Sequence, residues 1–126
     1  NELGHFAQEY AEALFDSLQN PVFICDRDEI IAIAGDSKKD YLNKPIGTEL
    51  EHTIEYRTLK FEEETSSIEI INGKEEELDS YCISPIIANG DPIGCVMMVS
   101  RNGDKLSEME QKVVETAASF LAKQME

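Results

Sequence analysis

Two apolar runs, 81–88 and 93–100, face each other across Asn89-Gly90-Asp91-Pro92. Asn-Gly between apolar runs is the strongest short-range signal for a β-hairpin. Both faces of each run are apolar. On the first, Tyr81, Ile83, Pro85 and Ile87 alternate with Cys82, Ser84, Ile86 and Ala88. On the second, Ile93, Cys95, Met97 and Val99 alternate with Gly94, Val96 and Met98. A hairpin with one wet face would alternate apolar with polar. This one needs cover on both sides, so it reads as the middle of a sheet packed between two helical layers. Gly94, just past the turn, leaves room for a bulge or a close backbone approach.

At 126 residues the chain is one domain, long enough to bury about two-thirds of its unfolded surface. It does not begin with methionine and opens directly in a helical pattern, which reads as a fragment or a processed form. A formal charge of −15 repels phosphate backbones, so this segment is not expected to hold nucleic acid by itself. No apolar run approaches the about twenty residues a membrane helix needs, and no signal peptide is visible. Cys25, Cys82 and Cys95 all lie inside apolar runs, where reduced thiols act as small hydrophobes. With no CxxC pair, and with His5 and His52 far from any cysteine motif, no metal site is expected.

Residues 2–19 carry Leu3, Phe6, Ala7, Tyr10, Leu14 and Leu18 at helical spacing, a stripe widened by Ala11, Ala13 and Phe15. Strands follow at 22–25 and 30–34, joined by the turn Asp26-Arg27-Asp28-Glu29. A short helical turn at 37–42 precedes a T-x-x-E capping box, Thr48 with Glu51, and a helix over 49–56. Residues 57–67 read as loop and edge strand, 67–71 as a strand, and 74–78 as an acidic, solvated loop. Ser107 and Glu110 form a second capping box, and a helix runs from 108 to the end.

The two terminal helices are apolar around more than half their circumference. One side can pack on the sheet; the rest would be an exposed patch of the kind that marks an interface. The competing reading is that the stripes are simply wide core faces. Because most soluble oligomers are two-fold, the interface is favoured. Its residues would be Leu3, Phe6, Tyr10, Leu14, Met109, Val113, Ala117, Phe120 and Leu121, giving a homodimer or tetramer.

The run Ser84 to Val99, SPIIANGDPIGCVMMV, resembles the GAF domain family, in which a Pro-Ile strand, a Gly-containing turn and an Ile-Gly-x-Val strand precede a C-terminal helix. The run from Leu18 to Asp28 suits that family's first strand and turn. Glu2 to Leu14, Ser37 to Lys44, Ala88 to Gly94 and Val113 to Glu126 are similar to a particular branch, the regulatory GAF domains of sporulation transcription factors. The likeness spans nearly the whole chain and is weakest from Arg57 to Asp79.

The resemblance implies an α+β fold: an antiparallel sheet of five or six strands, with N- and C-terminal helices on one face and short helices and loops on the other. It implies one regulatory and oligomerising domain over 1–126, with an AbrB-like DNA-binding domain ahead of it that is absent here. Contact with DNA would come only through that missing part, in the cytoplasm of the developing spore and away from membranes. It implies no catalytic residue, metal or cofactor, but a possible small-molecule effector. Carried over by position, the effector pocket would be lined by Ile33, Leu50, Ile54, Ile70, Tyr81 and Ile83, with Thr53, Arg57 and Tyr81 as polar anchors. Alternatively these side chains fill the space themselves, as closely packed interiors do.

Two other classes compete. A GAF-fold, cysteine-dependent free methionine sulfoxide reductase would use the cysteines, but their spacing is wide and burial raises a thiol's pKa. A phosphoacceptor at Asp26 or Asp28 is disfavoured because a second strand follows almost at once.

Overall fold

The computed structural model describes residues 2–126. Helix α1 spans Glu2–Leu18, followed by β1 (Val22–Cys25), β2 (Ile30–Ala34), α2 (Lys38–Tyr41) and α3 (Thr48–Tyr56). Then come β3 (Lys60–Glu62), β4 (Ser66–Ile71), β5 (Lys74–Leu78), β6 (Ser80–Ala88), β7 (Asp91–Ser100) and α4 (Glu108–Gln124). Five strands form one antiparallel sheet in the order β2-β1-β7-β6-β3, and β4 pairs with β5 separately.

The β6–β7 hairpin lies inside the sheet, as its two apolar faces require. Asn89 and Gly90 both adopt positive φ, 53° and 79°, the pair of left-handed residues that a two-residue hairpin turn demands. A register shift between Ile86 and Ile87 sets a bulge beside the turn. Gly94 is a site of close approach: a Cβ there would run into the Cys25 carbonyl oxygen of β1. Proline is tolerated at position 85 because β3 pairs with β6 only across Tyr81–Ile83, leaving the rest of β6 as an edge.

Successive residues of the central strands enter two different cores. Val22, Ile24, Cys82, Ile86, Val96 and Met98 meet Leu3, Ala7 and Ala11 of α1 and Val114, Ala118 and Leu121 of α4. Phe23, Cys25, Ile83, Cys95, Met97 and Val99 meet Tyr41, Leu50 and Ile54 of α2 and α3, together with Ile70, Ile71 and Leu78 of the β4–β5 hairpin. The second cover is therefore half helix and half strand, not a purely helical layer.

Two local readings change. Residues 74–78 are a strand, not a loop: Leu78 is buried, Glu76 half-buried, and Lys74, Glu75 and Glu77 exposed. Acidic composition hides this alternation because Glu76 occupies an inward position with its charge matched by Arg101. The Thr48–Glu51 box does not form: Gly47 is the N-cap and no side chain caps α3. Its place is set by β4, since Gly47 donates to the Ile70 carbonyl at 2.9 Å and a Cβ on it would strike the Glu69 backbone. At α4 the box does form, with Met109 N–H donating to Ser107 Oγ at 3.3 Å and Glu110 reaching back to the Ser107 N–H.

Candidate functional site

Helices α1 and α4 lie side by side on the sheet and leave an apolar groove between their outer sides. Tyr10, Leu14, Met109, Val113, Ala117 and Phe120 line it, Lys112 and Thr116 form its polar rim, and it encloses about 330 Å³. Met109 and Phe120 are 53% and 54% exposed, and two large apolar side chains that open on one helix face form a patch. The Tyr10 and Phe120 rings lean together with centroids 6.4 Å apart. A second depression, lined by Phe6, Glu9, Tyr10, Ala13 and Gln124, continues the face past Tyr10.

Six of the nine residues read as an interface thus reach this outer face: Phe6, Tyr10, Leu14, Met109, Val113 and Phe120. Leu3 and Leu121 turn inward and pack in the core beneath, and Ala117 is the buried floor of the groove. The spacing alone could not separate them, because each helix buries one side and presents the adjacent one. Lys112 and Thr116 carry no apolar signal in the sequence, being polar residues between the apolar positions.

The residues read as an effector pocket are placed differently. Ile33, Leu50, Ile54, Ile70, Tyr81 and Ile83 are buried and pack against one another in the core under α3. Thr53 is buried too, and its hydroxyl donates to the Glu49 carbonyl at 3.0 Å, one turn back in its own helix. Burial, with Glu49 and Glu62 nearby, raises the Tyr81 phenol pKa. These side chains occupy the space between sheet and helix.

Arg57 lies outside that core, exposed at the C-cap of α3 with a left-handed φ of 56°. Together with Ile54 it borders a groove of about 420 Å³ completed by Arg27, Glu51, Glu55, Asp91 and Pro92. The β1–β2 turn, α3 and the β6–β7 turn meet there. No local pattern joins three segments so far apart in sequence, so the groove was not legible from it.

At the other end of the sheet, Arg101 bridges Asp36 at 2.5 Å and Glu76 at 2.7 Å. The Tyr41 hydroxyl donates to Glu76 at 2.8 Å, accepts from Arg101 at 3.1 Å, and has the Lys74 ammonium 4.4 Å above its ring centre. Desolvation, then the Glu76 hydrogen bond and charge, raise the phenol pKa. This network ties α2 and the β4–β5 hairpin to the sheet through Tyr41, Glu76 and Arg101.

All three thiols are buried. Cys82 lies under α4, its pKa pushed up to about 12 by desolvation and then by Glu115. Cys25 and Cys95 sit on the opposite face of the sheet, and burial raises Cys95 well above the ordinary thiol value. No thiol borders either groove. Among the described residues no group of His, Cys, Asp and Glu has metal-binding geometry, and no helix is long and apolar enough to cross a membrane.

Residues 2–126 match the family described as "Stage V sporulation protein T C-terminal, transcription factor". Stage V sporulation protein T of Bacillus subtilis (strain 168) is 53% identical over 126 residues, a match covering all of this chain and 70% of that protein. Among solved structures, the GAF domain from Acinetobacter phosphoenolpyruvate-protein phosphotransferase superposes with a TM-score of 0.78 at 12% identity, over 99% of this chain and 82% of that one. The type II free methionine-R-sulfoxide reductase from Thermoplasma acidophilum gives 0.69 at 17% identity, over 97% and 94%. The cofactor binding GAF domain of the nutrient sensor CodY from Clostridium difficile gives 0.65 at 11%, over 94% and 83%. At such identities these three speak for a shared GAF fold and nothing finer.

Proposed function

This chain belongs to the stage V sporulation protein T C-terminal family, a regulatory GAF-like domain of a transcription factor, and from that premise we propose that it works by pairing with a second copy through the α1–α4 face. The observation that carries the reading is the apolar groove open on that face, with Met109 and Phe120 more than half exposed. Two such faces brought together by a two-fold axis bury one another's apolar rims. The charge of −15 supports a division of labour in which another part of the transcription factor meets DNA.

In this reading a small-molecule signal enters at the rim groove beside Ile54 and Arg57, where α3 meets the β1–β2 and β6–β7 turns. β1 and β7 run from that groove to the sheet face under α1 and α4, so an effector there has a mechanical route to the paired helices. It regulates only if it binds one helix arrangement better than another. The role is regulatory and not catalytic: every thiol is buried, which supports this reading over sulfoxide reduction.

The test is Phe120→Glu, which places a carboxylate in the middle of the paired face. Size-exclusion chromatography with light scattering is expected to give a dimer or tetramer for the wild type and a folded monomer for the variant. Unchanged assembly of the variant would remove the α1–α4 face from the account.

A further inference from the structure

Cys25, the last residue of β1, and Cys95 of β7 stand directly opposite each other in the antiparallel register, with their Sγ atoms 2.9 Å apart. Each is fully buried on the face covered by α3 and the β4–β5 hairpin. A single buried cysteine is an inert hydrophobe. Two in one cross-strand pair differ, because Cα atoms of strand partners lie about 4.5–5.5 Å apart, inside the span a disulfide bridges. Gly94 fixes the approach further by admitting the Cys25 carbonyl against the β7 backbone. Cys82 lies in the other core, on the far face of the sheet.

From this geometry we infer that Cys25 and Cys95 form an oxidation site, at which a hydroperoxide closes an intramolecular disulfide between β1 and β7. The thiolate sulfur of one cysteine attacks a peroxide oxygen. The O–O bond breaks, hydroxide leaves with hydrogen peroxide as the oxidant, and a sulfenic acid forms. The second sulfur then attacks the first, the S–O bond breaks and a second hydroxide leaves. The two thiol protons and the two hydroxides make two waters, so two cysteines are oxidised as one peroxide is reduced.

Neither sulfur reaches solvent, so the reaction waits on a local opening. The fold supplies a place for it. The β1–β2 ladder shifts register between Ile24 and Cys25, directly before the Asp26–Glu29 turn, so this end of β1 is held less regularly than its start. Once formed, the bridge would close a 70-residue separation containing β2, α2, α3 and β3 to β6. Closing a loop of that length restricts the unfolded chain far more than the folded one.

The test is to expose the folded protein to hydrogen peroxide, block remaining thiols with N-ethylmaleimide in denaturant, and map the peptides by mass spectrometry. The expected product is one linked pair holding Cys25 and Cys95, with Cys82 alkylated. Dithiothreitol should reverse it, subdenaturing urea should speed it, and the oxidised form should melt at a higher temperature. Cys25→Ser or Cys95→Ser should each abolish the link, and Cys82→Ser should leave it intact. A link through Cys82, a crosslink between chains, or free Cys25 and Cys95 after prolonged peroxide in subdenaturing urea would overturn the inference. The result is independent of whether copies pair through α1 and α4.

Discussion

Tyr41 shows how one residue can hold several segments. Its ring packs edge-on against Phe23 with centroids 5.0 Å apart, while its hydroxyl joins Glu76 and Arg101. Tyr41→Phe keeps the ring and removes the hydrogen bonds, so it is expected to lower stability by about 1–2 kcal/mol, measured by urea denaturation at neutral pH. The same residue sets an alkaline limit. Both Tyr41 and Tyr81 have pKa values raised by burial, whereas an unfolded tyrosine ionises near about pH 10. The folded state therefore holds these protons more tightly than the unfolded chain. That contribution is full below about pH 10 and falls away as pH rises toward the folded values. Urea midpoints should drop above about pH 10 in the wild type and drop less steeply in Tyr41→Phe. None of this was legible in the sequence, because Asp36, Tyr41, Glu76 and Arg101 share no local pattern and only the topology assembles them.

At the scale of elements, much of the fold could be read directly. The β6–β7 hairpin was legible because Asn-Gly specifies the turn and two-sided apolarity specifies an interior position. The Ser107 box was legible because nothing else competes for the start of α4. The look-alike at Thr48 failed because the neighbouring strand sets that helix end through Gly47. Paired substitutions separate these cases. Ser107→Ala should cost about 1 kcal/mol, and Thr48→Ala should stay within about 0.5 kcal/mol of the wild type, both by thermal or urea unfolding. Equal losses would mean that Thr48 caps α3 after all. Strand β5 was hidden for a related reason: its inward Glu76 is matched by Arg101 from beyond β7, so a charged residue stands where an apolar one would announce a strand.

Across the whole molecule, one asymmetry organises the account. The face under α3 and the β4–β5 hairpin is filled by its own side chains, whereas the α1–α4 face ends in an open apolar groove. The sequence announced excess apolar surface on both terminal helices, yet not which residues turn inward. Leu3 and Leu121 could be distinguished from Tyr10 and Phe120 only once the helices were seated on the sheet. A stable two-fold interface buries about 800 Å² per partner, more than this groove alone, so the proposed pairing would also have to cover the neighbouring depression at Phe6 and Ala13. Equilibrium sedimentation across a dilution series into the low micromolar range tests this most directly. A dimer or a tetramer that persists on dilution is the expected result; a single monomeric species at every concentration would rule out pairing through the α1–α4 face.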